Sequence, residues 1–414
     1  MKETKMKMSL ALKIFIALVL GIAIGWGLTG NPDIATSYIK PVGTVFLNLV
    51  KFIVVPIVLF SIMAGVISMK DIRKVGSIGW KTIVYYTCTT AFAVAVGLIF
   101  ANLFKGSFML LETSSLVYEA PAKAGLMDTF VNIFPSNFIA PMSSANMLQV
   151  IVMALFLSFG VILAGEKGKA AEELINSLNE VFMQVMDFIL KLSPIGVFCL
   201  IVPVIAVNGP KILSSLFMVI VTAYLAYIAH AILVYSFTVK TLADMSPWQF
   251  FKGMAPAIML GFSSASSVGT LPLNLECAVK LGAKRDVASF VMPLGATINM
   301  DGTAIYQGVC TIFIAACFGI DLTFSQIITV VLTATLASIG TAGVPGAGMI
   351  MLAMVLQSVG LPVEGIALVA GIDRVFDMGR TAVNITGDAA CTIVVSGIEE
   401  RKEARASHAL DESC

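Results

Sequence analysis

The chain has 414 residues, of which 58% are hydrophobic and 12% are charged, and its formal net charge at pH 7 is +1. A soluble domain of this length could not bury so many apolar side chains, so the composition excludes an ordinary soluble protein and indicates a polytopic membrane protein. A net charge so close to zero gives no sign of a nucleic acid partner.

The first half of the chain contains apolar stretches that are long enough to cross a bilayer, because about 20 helical residues span the hydrocarbon core. We expect 9–28 to be retained as a first helix, since no signal-peptide cleavage site follows it. The stretch at 38–69 is longer than a perpendicular span and contains two prolines, which predicts a tilted or kinked helix. Further spans are expected at 81–104, 174–207 and 212–239, and several short helices at 108–165.

The lysines and arginines near the ends of these stretches indicate the orientation of the chain. Those of one side cluster at 2–7, 70–74, 167–169, 240–285 and 401–405. Those of the other side are Lys105, Lys123 and Lys211. Because cytoplasmic loops carry the excess of positive charge, we expect a plasma (inner) membrane protein with both termini in the cytoplasm.

The second half contains the same pattern twice. In each copy an apolar segment is interrupted by small and polar residues, first SSASSVGTLP at 263–272 and then SIGTAGVPGAG at 338–348. Each interruption is followed, 28 or 29 residues after its proline, by an aspartate in an apolar helix. Paired interruptions are typical of transporter sites built from discontinuous helices, where irregular backbone lines a protein cavity. Ordinary kinked helices that pack through small residues are the alternative.

The last apolar run, 366–398, carries charged residues that a lipid-facing helix could not bear, since each costs roughly 2.5 to 3.5 kcal/mol at the bilayer centre. The polar residues of this run follow one another at intervals of 4, 3, 4 and 4 residues, which keeps them on one helix face. They are Asp373, Asp377, Arg380, Asn384 and Asp388. Such a stripe indicates a functional site, and a network of structural ion pairs is the alternative.

The polar groups of this half suit a carboxylate and a small cation. Helix N-termini at the two interruptions would present N–H groups to a carboxylate, and unwound carbonyl groups would suit a cation. The side-chain oxygens of Asn299, Asp301, Asn384 and Asp388 favour an alkali or alkaline-earth ion, with a structural Ca²⁺ as the alternative.

Residues for other chemistry are scarce or badly spaced. The chain has two histidines and seven cysteines without a CxxC pair, so no zinc site is expected and we interpret the cysteines as small buried hydrophobic residues. It has no Gly-Lys-Ser/Thr phosphate loop and no nucleophile elbow. We therefore expect a transporter, and neither an enzyme nor a receptor.

Three motifs resemble the signatures of the glutamate transporter family, the dicarboxylate/amino acid:cation symporters. They are NMDGT at 299–303, GTAGVPGAG at 340–348 and DMGRTAVNITGD at 377–388, in the family's order and spacing. The resemblance implies an all-α polytopic membrane protein with eight transmembrane helices, two re-entrant helical hairpins and inverted repeats. It also implies a homotrimer in the lipid bilayer that works by an elevator motion. The scaffold would be 9–70 and 107–207, the transport part 78–104 and 212–398, and the cytoplasmic tail 399–414.

The resemblance assigns site residues by their positions in these motifs. Asp377 would bind the amine of an acidic amino acid, and Arg380 its side-chain carboxylate. The other implied substrate contacts are Ser266, Ser267, Thr303, Gly343, Val344, Gly348, Thr381 and Asn384. The implied sodium sites are Gly295, Asn299, Asn384 and Asp388; Thr297, Ser338, Ile339 and Thr341; and Tyr86, Thr89, Thr90, Asn299 and Asp301. The implied function is sodium-coupled uptake of aspartate or glutamate, with C4-dicarboxylate or proton-coupled uptake as the alternative.

Two of these assignments have an open alternative. The polar cluster at 86–90 is also typical of side chains that pack one helix on another. Archaeal members of the family carry an arginine where this chain has Ala265, and animal members carry one where it has Met378. Here Arg374 lies one turn earlier, and it either fills the same space by another route or neutralises Asp373 or Asp377.

Gln307 predicts that no proton accompanies transport. Animal members that co-transport a proton and return with potassium carry a glutamate at this place, whereas a glutamine amide cannot titrate near neutral pH. We therefore expect no acidification of the lumen of proteoliposomes during uptake, and no need for internal potassium. A pH-sensitive dye trapped in the vesicles measures the first point, and substrate-dependent acidification with sodium present would show that another residue carries a proton.

Overall fold

The structure is a computed structural model that describes residues 10–68, 77–110, 131, 134–144, 146–209, 212–338 and 347–411. The regular structure of these residues is helical and includes no strand, so the expected all-α class is confirmed. Five helical stretches of the described residues are long and apolar enough to cross a membrane: Ser77–Ser107, Gln149–Met186, Ile212–Ala243, Arg285–Cys317 and Asp373–Lys402.

The first half supplies a group of helices built around α2. The helices of the first half are α1 (Leu10–Gly27), α2 (Lys40–Ser68), α3 (Ser77–Phe104), α4 (Met147–Ala164), α5 (Lys169–Lys191) and α6 (Ser193–Asn208). Shorter pieces lie at Pro32–Ile34, Ala35–Ile39, Lys105–Ser107, Ala140–Ser143 and Gly165–Gly168. Helices α4, α5 and α6 pack against α2, and α1 packs along α6. Helix α3 does not join this group and packs with the second half of the chain.

Two expectations for the first half change in detail. The long helix expected at 38–69 is present as α2, which continues through Pro56. The single span expected at 174–207 is wrong, because α5 ends at Lys191 and α6 begins at Ser193. Pro194 explains the break, since proline has no N–H to continue the preceding helix and is tolerated in a first helical turn.

The second half is a denser group. Its helices are α7 (Ile212–His230), α8 (Ser236–Ala243), α9 (Pro247–Ser264), α10 (Ser267–Lys280), α11 (Arg285–Ile298), α12 (Asp301–Cys317), α13 (Phe324–Ser338), α14 (Ala347–Ser358), α15 (Ile366–Ala370) and α16 (Asp373–Asp411). A π-helical turn at Ala231–Tyr235 joins α7 to α8, and a 3₁₀ turn at Val363–Gly365 precedes α15. Helices α12 and α16 are buried over most of their length and pack against each other at the centre of the group.

The two interruptions of the sequence lie between paired helices. Helices α9 and α10 pack against each other and against α16, and they join at Ala265, whose φ of 52° is left-handed. The side chain of Ser266 caps α10 by accepting a hydrogen bond from the Gly269 N–H at 3.1 Å. Helices α13 and α14 pack against each other and against α12. The interruption between them, 339–346, lies outside the described residues.

The cysteines of the described residues are free thiols. Cys199, Cys277, Cys310, Cys317 and Cys391 are buried, as expected of small hydrophobic residues. The expectation is wrong for Cys88, which is exposed. The neighbouring Thr89 and Thr90 lie on the buried face of α3, which packs against the second half. Cys88 lies on the outer face of the helix.

Glycines let α3 lie directly on the backbone of α12. A Cβ atom at Gly97 would lie 2.6 Å from the carbonyl oxygen of Ile305, and one at Gly308 would lie 3.0 Å from the carbonyl oxygen of Val94. Because each glycine faces the main chain of the other helix, a larger residue at either place cannot be accommodated by a side-chain rotation. The spacing of α3 from α12 is therefore set by these two positions.

We predict that Gly97→Ala lowers the stability of the folded protein by about 1 to 3 kcal/mol, as overpacking of a tight core does. Gly160→Ala is the matched control, because no atom lies within 4 Å of a Cβ there and alanine favours a helix over glycine. The melting temperature of the purified protein in detergent measures both. An unchanged melting temperature for Gly97→Ala would show that α3 and α12 are not in close contact.

Candidate functional site

Three charged residues of the α16 stripe form one buried cluster. The guanidinium of Arg380 donates to both carboxylate oxygens of Asp373, from Nη1 at 3.1 Å and from Nη2 at 3.3 Å. Its Nη2 also donates to Asp377 Oδ1 at 2.7 Å. The aromatic ring of Tyr306 covers the guanidinium, with 4.3 Å between Arg380 Cζ and the ring centroid. The face expected from the residue spacing is thus assembled, and its arginine binds two carboxylates at once.

Two glycines bring other helices against Arg380. A Cβ atom at Gly348 would overlap the guanidinium, so glycine lets the first turn of α14 lie against Arg380 without displacing its side chain from the two aspartates. A Cβ atom at Gly302 would overlap the carbonyl oxygen of Arg380, so glycine is also required where α12 crosses α16. The expected substrate contact at Gly348 therefore lies beside the expected carboxylate-binding arginine.

Arg374 reaches from α16 to the turn between α9 and α10. Its Nη2 donates to the carbonyl oxygens of Ser264 at 3.1 Å and Ser263 at 3.5 Å. These carbonyls belong to the last turn of α9, where no N–H of the same helix remains to bind them. Arg374 Nη1 also lies 3.7 Å from Asp377 Oδ2. Arg374 therefore contacts the first interruption and lies within ion-pair distance of Asp377.

A second polar cluster surrounds Asp301 at the start of α12. Its Oδ1 accepts hydrogen bonds from Thr90 at 2.6 Å and Thr89 at 3.3 Å. Its Oδ2 accepts one from the Tyr235 hydroxyl at 2.8 Å and lies 3.3 Å from His230 Nε2. The sequence indicates the two threonines, but it misses His230 and Tyr235. The available signal was a histidine inside an apolar run, a position where a buried imidazole needs a polar partner.

Asn299 and Asn384 connect the Asp301 cluster to α16. Asn299 Nδ2 donates to the carbonyl oxygen of Asn384 and to Asp388 Oδ1, both at 2.9 Å. Asn384 Oδ1 accepts from the Gly302 N–H at 2.8 Å, and its Nδ2 lies 3.4 Å from Thr303 Oγ1. Asn299 Oδ1 is buried and has no hydrogen-bond partner among the described residues. A buried amide oxygen left free in this way is available to a cation.

Tyr86 and Gly295 lie at the same place as Asp388. The Tyr86 hydroxyl donates to the Val291 carbonyl oxygen at 3.2 Å. A Cβ atom at Gly295 would overlap both this hydroxyl and Asp388 Oδ1. The absence of a side chain therefore lets the backbone of α11 lie directly against the Tyr86 hydroxyl of α3 and the Asp388 carboxylate of α16.

The other expected site residues divide into buried, exposed and undescribed positions. Ser267, in the first interruption, is buried, and so is Thr381 on α16. Ser266 is partly buried. Thr297 is exposed and donates to the Leu294 carbonyl oxygen, while Ser338 is buried and donates to the Thr335 carbonyl oxygen. Ile339, Thr341, Gly343 and Val344 lie outside the described residues. Within the described ranges, no group of three or more His, Cys, Asp or Glu side chains could hold a metal ion.

Known proteins resemble the chain along nearly its whole length. Residues 10–398 match the family described as the sodium:dicarboxylate symporter family. The proton/sodium-glutamate symport protein of Bacillus caldotenax is 37% identical over 94% of this chain and 94% of its own length. The proton/glutamate-aspartate symporter of Escherichia coli (strain K12) is 34% identical over 97% and 96%. The C4-dicarboxylate transport protein of Bacillus subtilis (strain 168) is 30% identical over 98% of each chain.

We predict that Arg380→Ala destabilises the protein by about 3 to 5 kcal/mol, because it leaves two buried carboxylates without their shared cation. Adding Asp373→Asn to the same chain should restore part of the loss, since one of the two uncompensated charges is then removed. Lys280→Ala is the control, because its partner Glu276 forms an exposed pair, and its melting temperature should match the wild type. A double variant no more stable than Arg380→Ala would contradict the ion-pair assignment.

Proposed function

Since the chain belongs to the sodium:dicarboxylate symporter family, we propose that it is a secondary active symporter that carries an acidic amino acid, aspartate or glutamate, into the cell together with Na⁺. The family consists of transporters, so the protein is not an enzyme. Its family and its long apolar helices make it an integral membrane protein.

The pairing of Asp377 with Arg380 supports an acidic amino acid as the substrate. The two groups are buried and lie 2.7 Å apart, and together they offer an anion for an ammonium group and a cation for a carboxylate. An acidic amino acid offers an ammonium group to Asp377 as well as a carboxylate to Arg380. A dicarboxylate such as succinate has no ammonium group, so it would bring further negative charge toward Asp377 and no cation.

Asp373 provides a partner for the buried charge of Arg380 when no substrate is bound. It holds both guanidinium nitrogens of Arg380 through its two carboxylate oxygens. We propose that the side-chain carboxylate of the substrate takes over one of these bonds, so that the guanidinium is paired before and after binding. Thr303, Thr381, Asn384 and the backbone at Ser266, Ser267, Gly343, Val344 and Gly348 would complete the substrate contacts.

Oxygen atoms around Asp301 and Asp388 support the sodium proposal. Tyr86, Thr89, Thr90, Asn299 and Asp301 would form one ion site, and Gly295, Asn299, Asn384 and Asp388 another. Asn299 belongs to both proposed sites. Its Nδ2 contacts Asp388, and its Oδ1, which has no hydrogen-bond partner among the described residues, could bind a cation. A third site at Thr297, Ser338, Ile339 and Thr341 is proposed from the motif alone.

The packing of the helices supports a division into two parts. We propose that 9–70 and 107–207 form the scaffold of a homotrimer and that 78–104 and 212–398 move relative to it as an elevator. The chain would have eight membrane spans, with both termini in the cytoplasm. The α9–α10 and α13–α14 pairs would be the re-entrant hairpins. Helix α3 packs on α12 and not on its sequence neighbours, and the two groups meet chiefly where α14 touches α2 and α4 and where α15 touches α6.

Transport of C4-dicarboxylates, or coupling to protons, is the alternative within the same family. It is favoured by the Bacillus subtilis relative, whose name states that substrate, and by relatives whose names include the proton. Asp377 argues against C4-dicarboxylates, since its carboxylate repels a substrate that carries two carboxylates and no ammonium group.

Radiolabelled aspartate uptake into proteoliposomes tests the proposal. We expect an imposed sodium gradient to drive uptake, unlabelled glutamate or aspartate to compete, and succinate at the same concentration to have little effect. Asp377→Asn should lose most of the preference for aspartate over succinate, because the amine then meets a neutral amide. Equal competition by succinate in the wild type would favour the dicarboxylate alternative, and uptake driven fully by a proton gradient in sodium-free buffer would refute sodium coupling.

A further inference from the structure

The π-helical turn at Ala231–Tyr235 brings two side chains to one carboxylate oxygen. In a regular α-helix, residues five positions apart point about 140° away from each other. A π-turn closes its hydrogen bonds between residues i and i+5, so the wider turn carries residue i+5 back toward the face of residue i. His230 and Tyr235 are five positions apart across this turn, and both reach Asp301 Oδ2.

The contact is buried and well defined. His230, Tyr235 and Asp301 each have an exposed fraction of 0%. The Tyr235 hydroxyl lies 2.8 Å from Asp301 Oδ2 and 3.2 Å from the Val383 carbonyl oxygen, so the aspartate is the closer acceptor. The imidazole and phenol rings meet edge to face, with centroids 5.1 Å apart and planes at 89°. These ring contacts hold the two donors in place beside Asp301.

The second ring nitrogen identifies the tautomer of His230. Its Nδ1 is buried and has no hydrogen-bond partner among the described residues. A proton there would leave a buried donor without an acceptor, which is more costly than a bare lone pair shielded by apolar neighbours. We therefore assign a proton to Nε2, which makes His230 a hydrogen-bond donor to Asp301 Oδ2.

We propose that His230 and Tyr235 are positioning residues for sodium at Asp301. They occupy Oδ2 from one side of the carboxylate, which fixes its plane and directs Oδ1 toward Thr89 and Thr90. The inference rests on the proposed ion site at these residues, and it adds to that site two groups that do not touch the ion. Outer hydrogen-bond partners of this kind change metal affinity by roughly ten- to a hundredfold when they are removed.

A sodium titration of the purified protein without substrate tests the inference, because an ion that binds the folded state raises the melting temperature. The size of the rise at each sodium concentration gives an apparent Kd for the ion. His230→Leu and Tyr235→Phe should each raise this Kd by roughly ten- to a hundredfold. His230→Gln, whose amide N–H can still donate, should lie closer to the wild type than to His230→Leu. Tyr85→Phe is the matched control, because it removes a buried hydroxyl that contacts Thr238 at 2.9 Å instead of Asp301.

The outcomes separate this inference from the proposed function. A wild type whose melting temperature does not respond to sodium would refute the sodium site, and the inference with it. If the wild type responds to sodium and the variants melt at a lower temperature but give the same apparent Kd for sodium, His230 and Tyr235 have only a packing role, and the inference alone is overturned. The inference is also overturned if His230→Gln binds sodium as weakly as His230→Leu. If His230→Leu does not fold, the comparison of Tyr235→Phe with Tyr85→Phe in the same titration decides between the two roles.

Discussion

The burial of one guanidinium constrains much of this structure. Arg380 is 1% exposed, and the removal of such a charge from water costs several kcal/mol unless partners surround it. Two carboxylates on its own helix, the ring of Tyr306 on α12 and the bare backbone at Gly348 on α14 supply that environment. Because the partners come from three helices, the position of each helix depends on the same charge. The requirement also explains why a helix that carries Asp373, Asp377 and Arg380 lies at the centre of the packed group.

Asn299 and Asn384 connect α16 to the start of α12, where Asp301 lies. Asn299 binds both the backbone of Asn384 and the carboxylate of Asp388, and Asn384 in turn binds the first turn of α12. A cation that drew on Asn299 would therefore fix the same amide groups that a substrate at α16 would meet. A buried network whose members are shared in this way couples two sites without a large movement, since neither set of hydrogen bonds can be optimised alone.

The regular part of the site could be predicted from the sequence, and the irregular part could not. Helical periodicity is enough to place Asp373, Asp377 and Arg380 on one face, and all three are buried there. Periodicity does not reveal which partner an arginine chooses, and Asp373 holds it as firmly as Asp377 does. The contact of His230 with Asp301 spans 71 residues and depends on a π-turn, for which the apolar sequence AILVY has no recognisable signal. Pro194 indicates a break between α5 and α6. The residues around it are largely hydrophobic, and the hydropathy pattern alone therefore predicts one continuous span.

The outward position of Cys88 gives the chain an attachment point for spectroscopy. It is the exposed cysteine of the described residues, and its helix is long enough to cross the membrane. A thiol-reactive fluorophore or spin label that partitions into the bilayer would attach there, while the five buried thiols of the described residues are shielded by packing. The next two residues in the chain are Thr89 and Thr90, which bind Asp301 from the opposite face of the same helical turn. With Cys414 replaced by serine, a signal from this label would report on the helix whose threonine hydroxyl groups bind Asp301, without the introduction of a new cysteine.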